Sequence, residues 1–194
     1  MHPFRQYIHQ YSPLPDALWE EVAVELQCQV YPAKSVVLEY GKICKKLYFL
    51  EQGLLRYVSY KNGEEITKFF TLPPYCFTAQ RSFTREETSE ESIIVVEEAV
   101  VWELDRQVAF DLLRQPAWSE FVRQLVQEVQ YQTEEILTAL QTSTAEERYL
   151  ALLKENSPLV QKVPLKYIAS YLGIAPQSLS RIRKKYWANR PKSS

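Results

Sequence analysis

The spacing of apolar residues changes twice along the chain. In residues 16–26, Leu18, Val22 and Leu26 recur every four positions after Pro15, which predicts a helix. Short segments rich in β-branched and aromatic residues then alternate with turn-forming residues, which predicts strands. These segments are residues 29–31, 36–40, 47–50, 54–60, 65–70, 92–97 and 100–104. Many short strands at regular spacing predict a small antiparallel barrel or sandwich.

One turn between these segments has a distinctive sequence. Asn62-Gly63 lies between the predicted strands 54–60 and 65–70. Asparagine and glycine both tolerate positive φ, as a type I′ turn requires at its two central positions. The sequence therefore predicts a β-hairpin here.

After Asp105 the pattern becomes helical to the end of the chain. A short helix is expected over residues 106–114, and Pro116 opens a long one over 117–140. One apolar stripe of the long helix repeats near every 3.5 residues: Leu125, Val129, Ile136 and Leu140. Such a stripe can pack on the barrel of its own chain. The length of the helix, and its place between a barrel and a basic segment, instead favour a homodimer seam.

The end of the long helix marks a domain boundary. Thr144 and Glu147 have the spacing of a capping box, which predicts a new helix over residues 145–155. Residues 156–158, Asn-Ser-Pro, are expected to form a linker. The predicted division is a barrel over 1–115, a dimerisation helix over 116–141 and a C-terminal domain over 142–194.

Charge is distributed unevenly along the chain. Residues 156–194 contain no Asp or Glu, whereas residues 1–155 hold all 24 acidic residues. The basic residues of this segment are Lys162, Lys166, Arg181, Arg183, Lys184, Lys185, Arg190 and Lys192. The formal net charge of −1 therefore conceals a basic segment attached to an acidic one. Phosphate backbones attract such a segment through counterion release, so a nucleic acid is the expected partner.

The same segment has the spacing of a helix-turn-helix. Leu165, Ile168 and Leu172 form one helical face, and Pro176 opens a second helix that extends to Lys185. Two short helices that cross steeply need a small residue at the crossing and a residue that accepts left-handed backbone in the turn. Ala169 and Gly173 supply these two residues. An ordinary helical hairpin with a solvated basic face is the alternative, and the absence of acidic residues argues against it.

The outward face of the second helix contains the candidate DNA contacts. If Leu179 and Ile182 face the core, Gln177, Ser178 and Arg181 share the outer face near the N-terminal end, where base edges are reached in the major groove. The basic residues around this face suit phosphates, which contribute affinity without sequence information. The predicted phosphate contacts are Lys166, Arg183, Lys184, Lys185, Arg190 and Lys192.

The chain resembles the Crp/Fnr family of transcription regulators over nearly its whole length. In the barrel the matching residues are Gly41, Tyr48-Phe49-Leu50, Gly53 and Arg56. In the C-terminal segment they are Ile168-Ala169, Gly173-Ile174 and Ser178-Leu179-Ser180-Arg181-Ile182. The resemblance implies an α+β fold: a cyclic-nucleotide-binding jelly-roll barrel, a long dimerisation helix and a winged helix-turn-helix. The chain ends soon after Tyr186-Trp187, so a reduced or absent wing is expected.

The effector pocket departs from the family pattern. Members that bind cyclic AMP grip the ribose with a Gly-Glu pair and the phosphate with an Arg-Ser or Arg-Thr pair. Thr78-Ala79 and Ser89-Glu90 stand at those positions here. Nearby glutamates disfavour a phosphate. The expected degenerate pocket comprises Phe77, Thr78, Ala79, Arg81, Arg85, Ser89 and Glu90, with Arg81 or Arg85 as the alternative phosphate anchor. Cyclic AMP binding is expected to be lost.

Other classes of site find little support in the sequence. Cys28, Cys44 and Cys76 form no metal-binding cluster and are expected to be buried thiols in a reducing cytosol, although Cys44 or Cys76 as a redox switch stays open. His2 and His9, the only histidines, are expected in a mobile N-terminus, which argues against haem and against a metal-dependent jelly-roll enzyme. No cofactor, catalytic residue, signal peptide or membrane span is expected.

The sequence thus predicts a cytoplasmic, homodimeric regulator that is not an enzyme. Its partners would be double-stranded DNA and, by the same resemblance, RNA polymerase. Two alternatives stay open: a regulator that responds to a cyclic nucleotide or another small effector through a remodelled pocket, and a jelly-roll interaction module or enzyme that does not bind DNA.

Overall fold

The computed structural model describes residues 1–188 and begins with a helix that the sequence pattern did not predict. Helix α1 (Pro3–Ile8) follows His2, whose ring accepts a hydrogen bond from the backbone of Phe4. Phe4, Tyr7 and Ile8 are buried in the core of the barrel. The expectation of a mobile N-terminus is therefore wrong, because burying these side chains fixes the segment.

An antiparallel sheet follows helix α2 (Asp16–Glu25), as the strand pattern predicted. Its strands are β1 (Gln27–Tyr31), β2 (Val36–Leu38), β3 (Lys46–Lys61), β4 (Glu64–Thr71), β5 (Tyr75–Phe77) and β6 (Ser92–Asp105). The main order is β1-β6-β3-β4, while β2 pairs with β6 and β5 with β3. This is the expected α+β architecture with a jelly-roll-like sheet. Cys28 on β1 is exposed, so the expectation of three buried thiols is wrong for that residue.

Two pairs of predicted strands are single long strands in the structure. Strands β3 and β6 each continue through a break in the sequence pattern, because register shifts near Gln52 let the pairing resume beyond the break. Gly53 adopts a φ of +101° at this point, and a Cβ there would lie 2.4 Å from the carbonyl oxygen of Glu98. Only glycine fits so close an approach of two backbones.

The β3–β4 hairpin forms as predicted. Asn62 and Gly63 have φ values of 54° and 81°, and Lys61 pairs with Glu64 on either side of them. Positive φ at both central positions is the signature of a type I′ turn.

Helices complete the chain. They are α3 (Gln80–Arg85), α4 (Arg106–Asp111), α5 (Pro116–Thr142), α6 (Ala145–Glu155), α7 (Ser157–Lys162), α8 (Leu165–Tyr171) and α9 (Pro176–Ala188). The capping box is present: the Thr144 hydroxyl accepts from the backbone of Glu147, whose carboxylate accepts from the backbone of Thr144. None of the helices within residues 1–188 has both the length and the apolar character of a membrane span.

The linker expected at residues 156–158 is wrong. Ser157 and Pro158 begin α7, where a proline in the first turn gives up no helical hydrogen bond. Leu159 and Val160, which follow, are buried in a second core made by the C-terminal helices. This burial makes a helix more favourable than an open linker.

Candidate nucleic-acid interface and sensor cavity

Helices α8 and α9 meet in a helix-turn-helix whose turn is set by Gly173. The glycine has a φ of +71°. Its N–H donates to the carbonyl of Ser170 at 3.1 Å, and the N–H of Ile174 donates to that of Ala169 at 3.0 Å. These two bonds form a Schellman motif, which ends a helix with one left-handed residue. Ala169 and Leu179 are fully buried where the two helices meet.

The outer face of α9 carries the predicted base contacts. Gln177, Ser178 and Arg181 are all exposed. Gln177 and Arg181 lie two residues on either side of the buried Leu179 and so about 200° around the helix from it, and Ser178 borders them. Arginine can donate two hydrogen bonds to a guanine edge, and glutamine can both donate to and accept from an adenine edge. Both need an exposed helix face, as here. The structure therefore brings these three side chains together on one accessible surface.

The predicted phosphate contacts are placed less uniformly. Lys166 on α8 and Lys184 on α9 are exposed. Lys185 donates to both carboxylate oxygens of Glu146, at 2.8 and 3.1 Å, and Arg183 is partly buried beside Leu165. The remaining two, at positions 190 and 192, lie outside the described residues. An exposed ion pair such as Lys185–Glu146 contributes little, so a phosphate could replace the carboxylate.

Helix α8 also packs against the sheet, a contact that the sequence pattern did not reveal. The Arg56 guanidinium of β3 lies 3.7 Å from the centre of the Tyr167 ring. The backbone N–H of Thr67 on β4 donates to the Ser170 hydroxyl at 2.9 Å. Arg56 is 3% exposed and also donates to Thr67 and to Glu65. The barrel and the helix-turn-helix therefore share a specific interface.

A cavity of about 410 Å³ lies on the opposite side of the same hairpin, between the barrel and α5. Barrel residues that line it are Leu47, Tyr57, Phe69, Tyr75, Cys76, Phe77, Thr78 and Glu91. Helical residues that line it are Gln80, Phe83, Thr84, Ala109, Phe110, Leu113, Trp118, Phe121, Val122, Leu125, Val126 and Val129. The volume falls in the range of small-molecule sites.

Few of the residues predicted for the effector pocket reach this cavity. Phe77 and Thr78 line it, whereas Ala79 is buried at the start of α3 and contributes no lining atom. Arg81 and Arg85 line an open depression on the outer side of α3. The other two residues, Ser89 and Glu90, lie beyond α3. The depression shares Gln80 and Thr84 with the cavity, but neither arginine lines the cavity itself.

One of the two arginines predicted as an alternative phosphate anchor, Arg81, already pairs with acidic side chains. The Arg81 guanidinium lies 3.0 Å from Glu87 and 3.6 Å from Glu90. The buried Ser89 hydroxyl donates to the carbonyl of Glu91 at 2.8 Å. Both residues at the family's phosphate-binding positions therefore already have partners, since Ser89 contacts Glu91 and Glu90 pairs with Arg81.

The buried phenol and thiol groups at the cavity favour their neutral forms. Burial raises the pKa of the Tyr57 phenol well above its ordinary value, and burial also raises the pKa of the Cys76 thiol. Glu91 contributes a carboxylate, paired with Lys68 at 2.5 Å. Thiolates are the reactive form of cysteine, so the raised pKa argues against Cys76 as a redox switch. The Cys44 thiol is buried and lies 3.2 Å from the Thr78 hydroxyl.

Helix α5 leaves an apolar surface uncovered beyond the cavity. Ile136 is 43% exposed and Leu140 is 53% exposed, while Leu125 and Val129 are partly buried and line the cavity. Val126 and Leu137 add to the exposed apolar area on this helix. The predicted seam therefore divides into a part that borders the cavity and a part that faces outward.

Known proteins show the same construction. Residues 28–116 match the family model of the cyclic nucleotide-binding domain. Over nearly the whole chain, the fold is that of Crp/Fnr regulators. The resemblance read from the sequence is thereby confirmed for the fold.

Three solved structures illustrate the likeness. A protein from Eubacterium rectale assigned to the Crp/Fnr family of transcriptional regulators is 16% identical, with a TM-score of 0.72 over 90% of this chain and 84% of its own. FixK2 from Bradyrhizobium japonicum is 14% identical, with a TM-score of 0.70 over 87% and 89%. The c-di-GMP-responsive regulator CLP from Xanthomonas campestris is 15% identical, with a TM-score of 0.66 over 88% and 91%. No curated protein sequence matches the chain. At identities this low, the structural likeness establishes the fold alone.

Several residues of the site were missed by sequence reasoning. The cavity takes its floor from Trp118 and Phe121 and its polar points from Gln80 and Glu91. Helical periodicity marks Trp118 and Phe121 only as apolar positions of the long helix. The sequence does show many aromatic residues near both ends of segment 69–121. No rule of local spacing, however, predicts that these residues meet around one cavity.

Proposed function

We propose that the protein is a sequence-specific DNA-binding transcription regulator that acts in the cytoplasm as a homodimer. The observation that carries the proposal is the outer face of α9, where Gln177, Ser178 and Arg181 are exposed together on a helix-turn-helix. Lys166 and Lys184 flank this face with exposed positive charge. No enzymatic step is part of the proposal. The division into 1–115, 116–141 and 142–194 stays a prediction.

Dimerisation would follow from α5. A solvent-exposed apolar stripe on a long helix is costly in water, and a second copy of the same helix can cover it. Two-fold symmetry would then present two α9 helices to successive major grooves, with the barrel and α5 setting their separation. RNA polymerase is a further partner of this proposal.

The same proposal holds that cyclic AMP is not the effector. Arg81 is paired with Glu87 and Glu90 outside the cavity, and Ala79 has no side chain that could grip a ribose. A cyclic phosphate would enter an apolar site beside Glu91 without a cationic partner among the lining residues. Burying an unpaired anion is strongly unfavourable.

The test is selection of binding sites from randomised duplex DNA by the purified full-length protein. We expect a pseudo-palindromic site whose half-sites are one or a few helical turns apart, about 10 base pairs per turn. An Arg181→Ala variant serves as the matched control and should enrich the site poorly. Recovery of unselected sequence by both proteins would contradict the proposal.

A further inference from the structure

We infer that the cavity between the barrel and α5 binds an uncharged, mainly aromatic small molecule. As an effector of transcription this ligand would rest on the proposed function, but its binding would not, because the cavity is formed without α9. Such a ligand differs in chemical class from a cyclic nucleotide, which carries a charged phosphate.

The cavity is lined chiefly by rings. Tyr57, Phe69 and Phe77 form one wall, and these rings already contact one another: Tyr57 stacks on Phe69 with centroids 4.1 Å apart. Trp118 and Phe121 face them from α5. Rings prefer offset-stacked or edge-to-face neighbours, so an aromatic guest gains from such a lining beyond the burial of its area.

The cavity has few polar groups, and most of them already make hydrogen bonds within the protein. The Thr78 hydroxyl donates to the carbonyl of Lys46 at 3.0 Å, and the Trp118 indole donates to the carbonyl of Ala109 at 3.2 Å. The Thr84 hydroxyl donates to the backbone carbonyl of Gln80 at 2.8 Å. The Tyr57 hydroxyl donates to the carbonyl of Thr78 at 3.4 Å. A guest therefore finds little hydrogen-bonding capacity beyond the Tyr75 phenol, the Gln80 amide and the Glu91 carboxylate.

Charge decides against an anion. No Arg, Lys or His is among the described residues that line the cavity, and Glu91 contributes a carboxylate. An anionic group would lose its hydration and meet no cation among these lining residues, because Lys68 beside the cavity already pairs with Glu91, whereas an uncharged guest avoids that cost.

The place of the cavity in the fold connects it to the rest of the molecule. Tyr57 and Phe69 point into it, while their neighbours Arg56 and Phe70 contact α8. Successive side chains of a strand point to opposite faces, so one hairpin contacts the cavity on one face and the helix-turn-helix on the other. A guest also touches α5 through Val122.

The experiment compares two fluorescent probes that share one aromatic skeleton. N-phenyl-1-naphthylamine is uncharged, whereas 1-anilinonaphthalene-8-sulfonate carries a sulfonate. Titrated into the folded full-length protein without DNA, the uncharged probe should bind with micromolar affinity and the sulfonated one at least tenfold more weakly. Glu91→Gln removes the carboxylate and should strengthen binding of the sulfonated probe. The difference in affinity between the two probes should therefore become smaller.

Variants locate the binding. Val122→Trp on α5 and Leu113→Trp on the turn after α4 each add bulk to the cavity wall, and each should weaken binding of the uncharged probe at least tenfold. Val24→Trp makes a comparable substitution at a residue that is 83% exposed on α2, away from the cavity, and should leave binding unchanged. Thermal melting establishes that each variant is folded. If one of the two cavity-filling variants does not fold, the other still tests the inference.

Three results would overturn the inference: no saturable binding of the uncharged probe, equal binding of both probes, or binding that neither filling variant weakens. The first would mean that side chains of a second copy, or rearranged side chains of this one, occupy the space. Failure to bind DNA would overturn the proposed function and leave the probe result standing.

Discussion

Ile136 offers a way to test the homodimer without disturbing the fold of the single chain. The side chain is 43% exposed on α5, so an Asp at this position meets water in a monomer. In a dimer the same Asp would be covered by the partner helix. We therefore expect Ile136→Asp to give a folded protein that dimerises much less tightly and binds its DNA site weakly.

The expected loss of dimer stability follows from the exposed fraction of the Ile136 side chain. Full burial of an isoleucine contributes about 1.5–3 kcal/mol, so covering the exposed 43% contributes about 1 kcal/mol per subunit and about 2 kcal/mol per symmetric dimer. Desolvating two carboxylates at the seam adds at least about 2 kcal/mol. The sum of about 4 kcal/mol corresponds to roughly a thousandfold rise in the dimer dissociation constant.

Analytical ultracentrifugation measures this effect. The wild type should sediment at about twice 22.8 kDa at micromolar concentration, and Ile136→Asp should sediment as a single chain. Thr138→Asp is the control, since it adds the same charge two residues further on, about 200° around the helix and away from the stripe. A wild type that stays monomeric at tens of micromolar, or two variants that dissociate equally, would refute the seam.

The remaining predictions concern the barrel and its interface with α8. Arg56→Ala should lower the free energy of unfolding by about 3 kcal/mol in urea titrations, because it removes the ring contact with Tyr167 and hydrogen bonds of a buried cation; an equal loss in the exposed Arg81→Ala control would contradict this. Cyclic AMP should release no measurable heat in calorimetry at micromolar protein, and a saturable titration would show that the pocket has kept its chemistry. Iodoacetamide should label Cys28, whose thiol is exposed, much faster than Cys76, whose thiol is buried; rapid labelling of Cys76 in the folded protein would reopen the redox switch.

The parts of this fold that depend on local chemistry could be predicted from sequence. Asn62-Gly63 fixes a type I′ turn, Thr144 with Glu147 caps α6, and Gly173 ends α8, because each needs only a few neighbouring residues. The linker predicted at residues 156–158 was wrong, because Asn-Ser-Pro occurs both in linkers and in the first turn of a helix. What separates the two is the burial of the residues that follow, which is a tertiary effect.

The candidate site divides in the same way. The outer face of α9 follows from helical periodicity once Leu179 is known to face inward, so Gln177 and Arg181 could be named from the sequence. The cavity could not, because its walls come from strands and helices far apart in the chain. Nor could the contact of Arg56 with Tyr167, which joins residues more than a hundred positions apart.

The central claim is that α9 reads DNA sequence, and one measurement tests it most directly. Binding of the wild type, Arg181→Ala and Lys184→Ala is measured against a set of single-base variants of the selected site, at several salt concentrations. Arg181→Ala should cost about 1–3 kcal/mol per half-site and flatten the preference at one base-pair position, because a paired hydrogen bond depends on the base present. Lys184→Ala should weaken binding to all variants alike and lower the salt slope by about one. A preference profile that Arg181→Ala leaves unchanged would contradict the account.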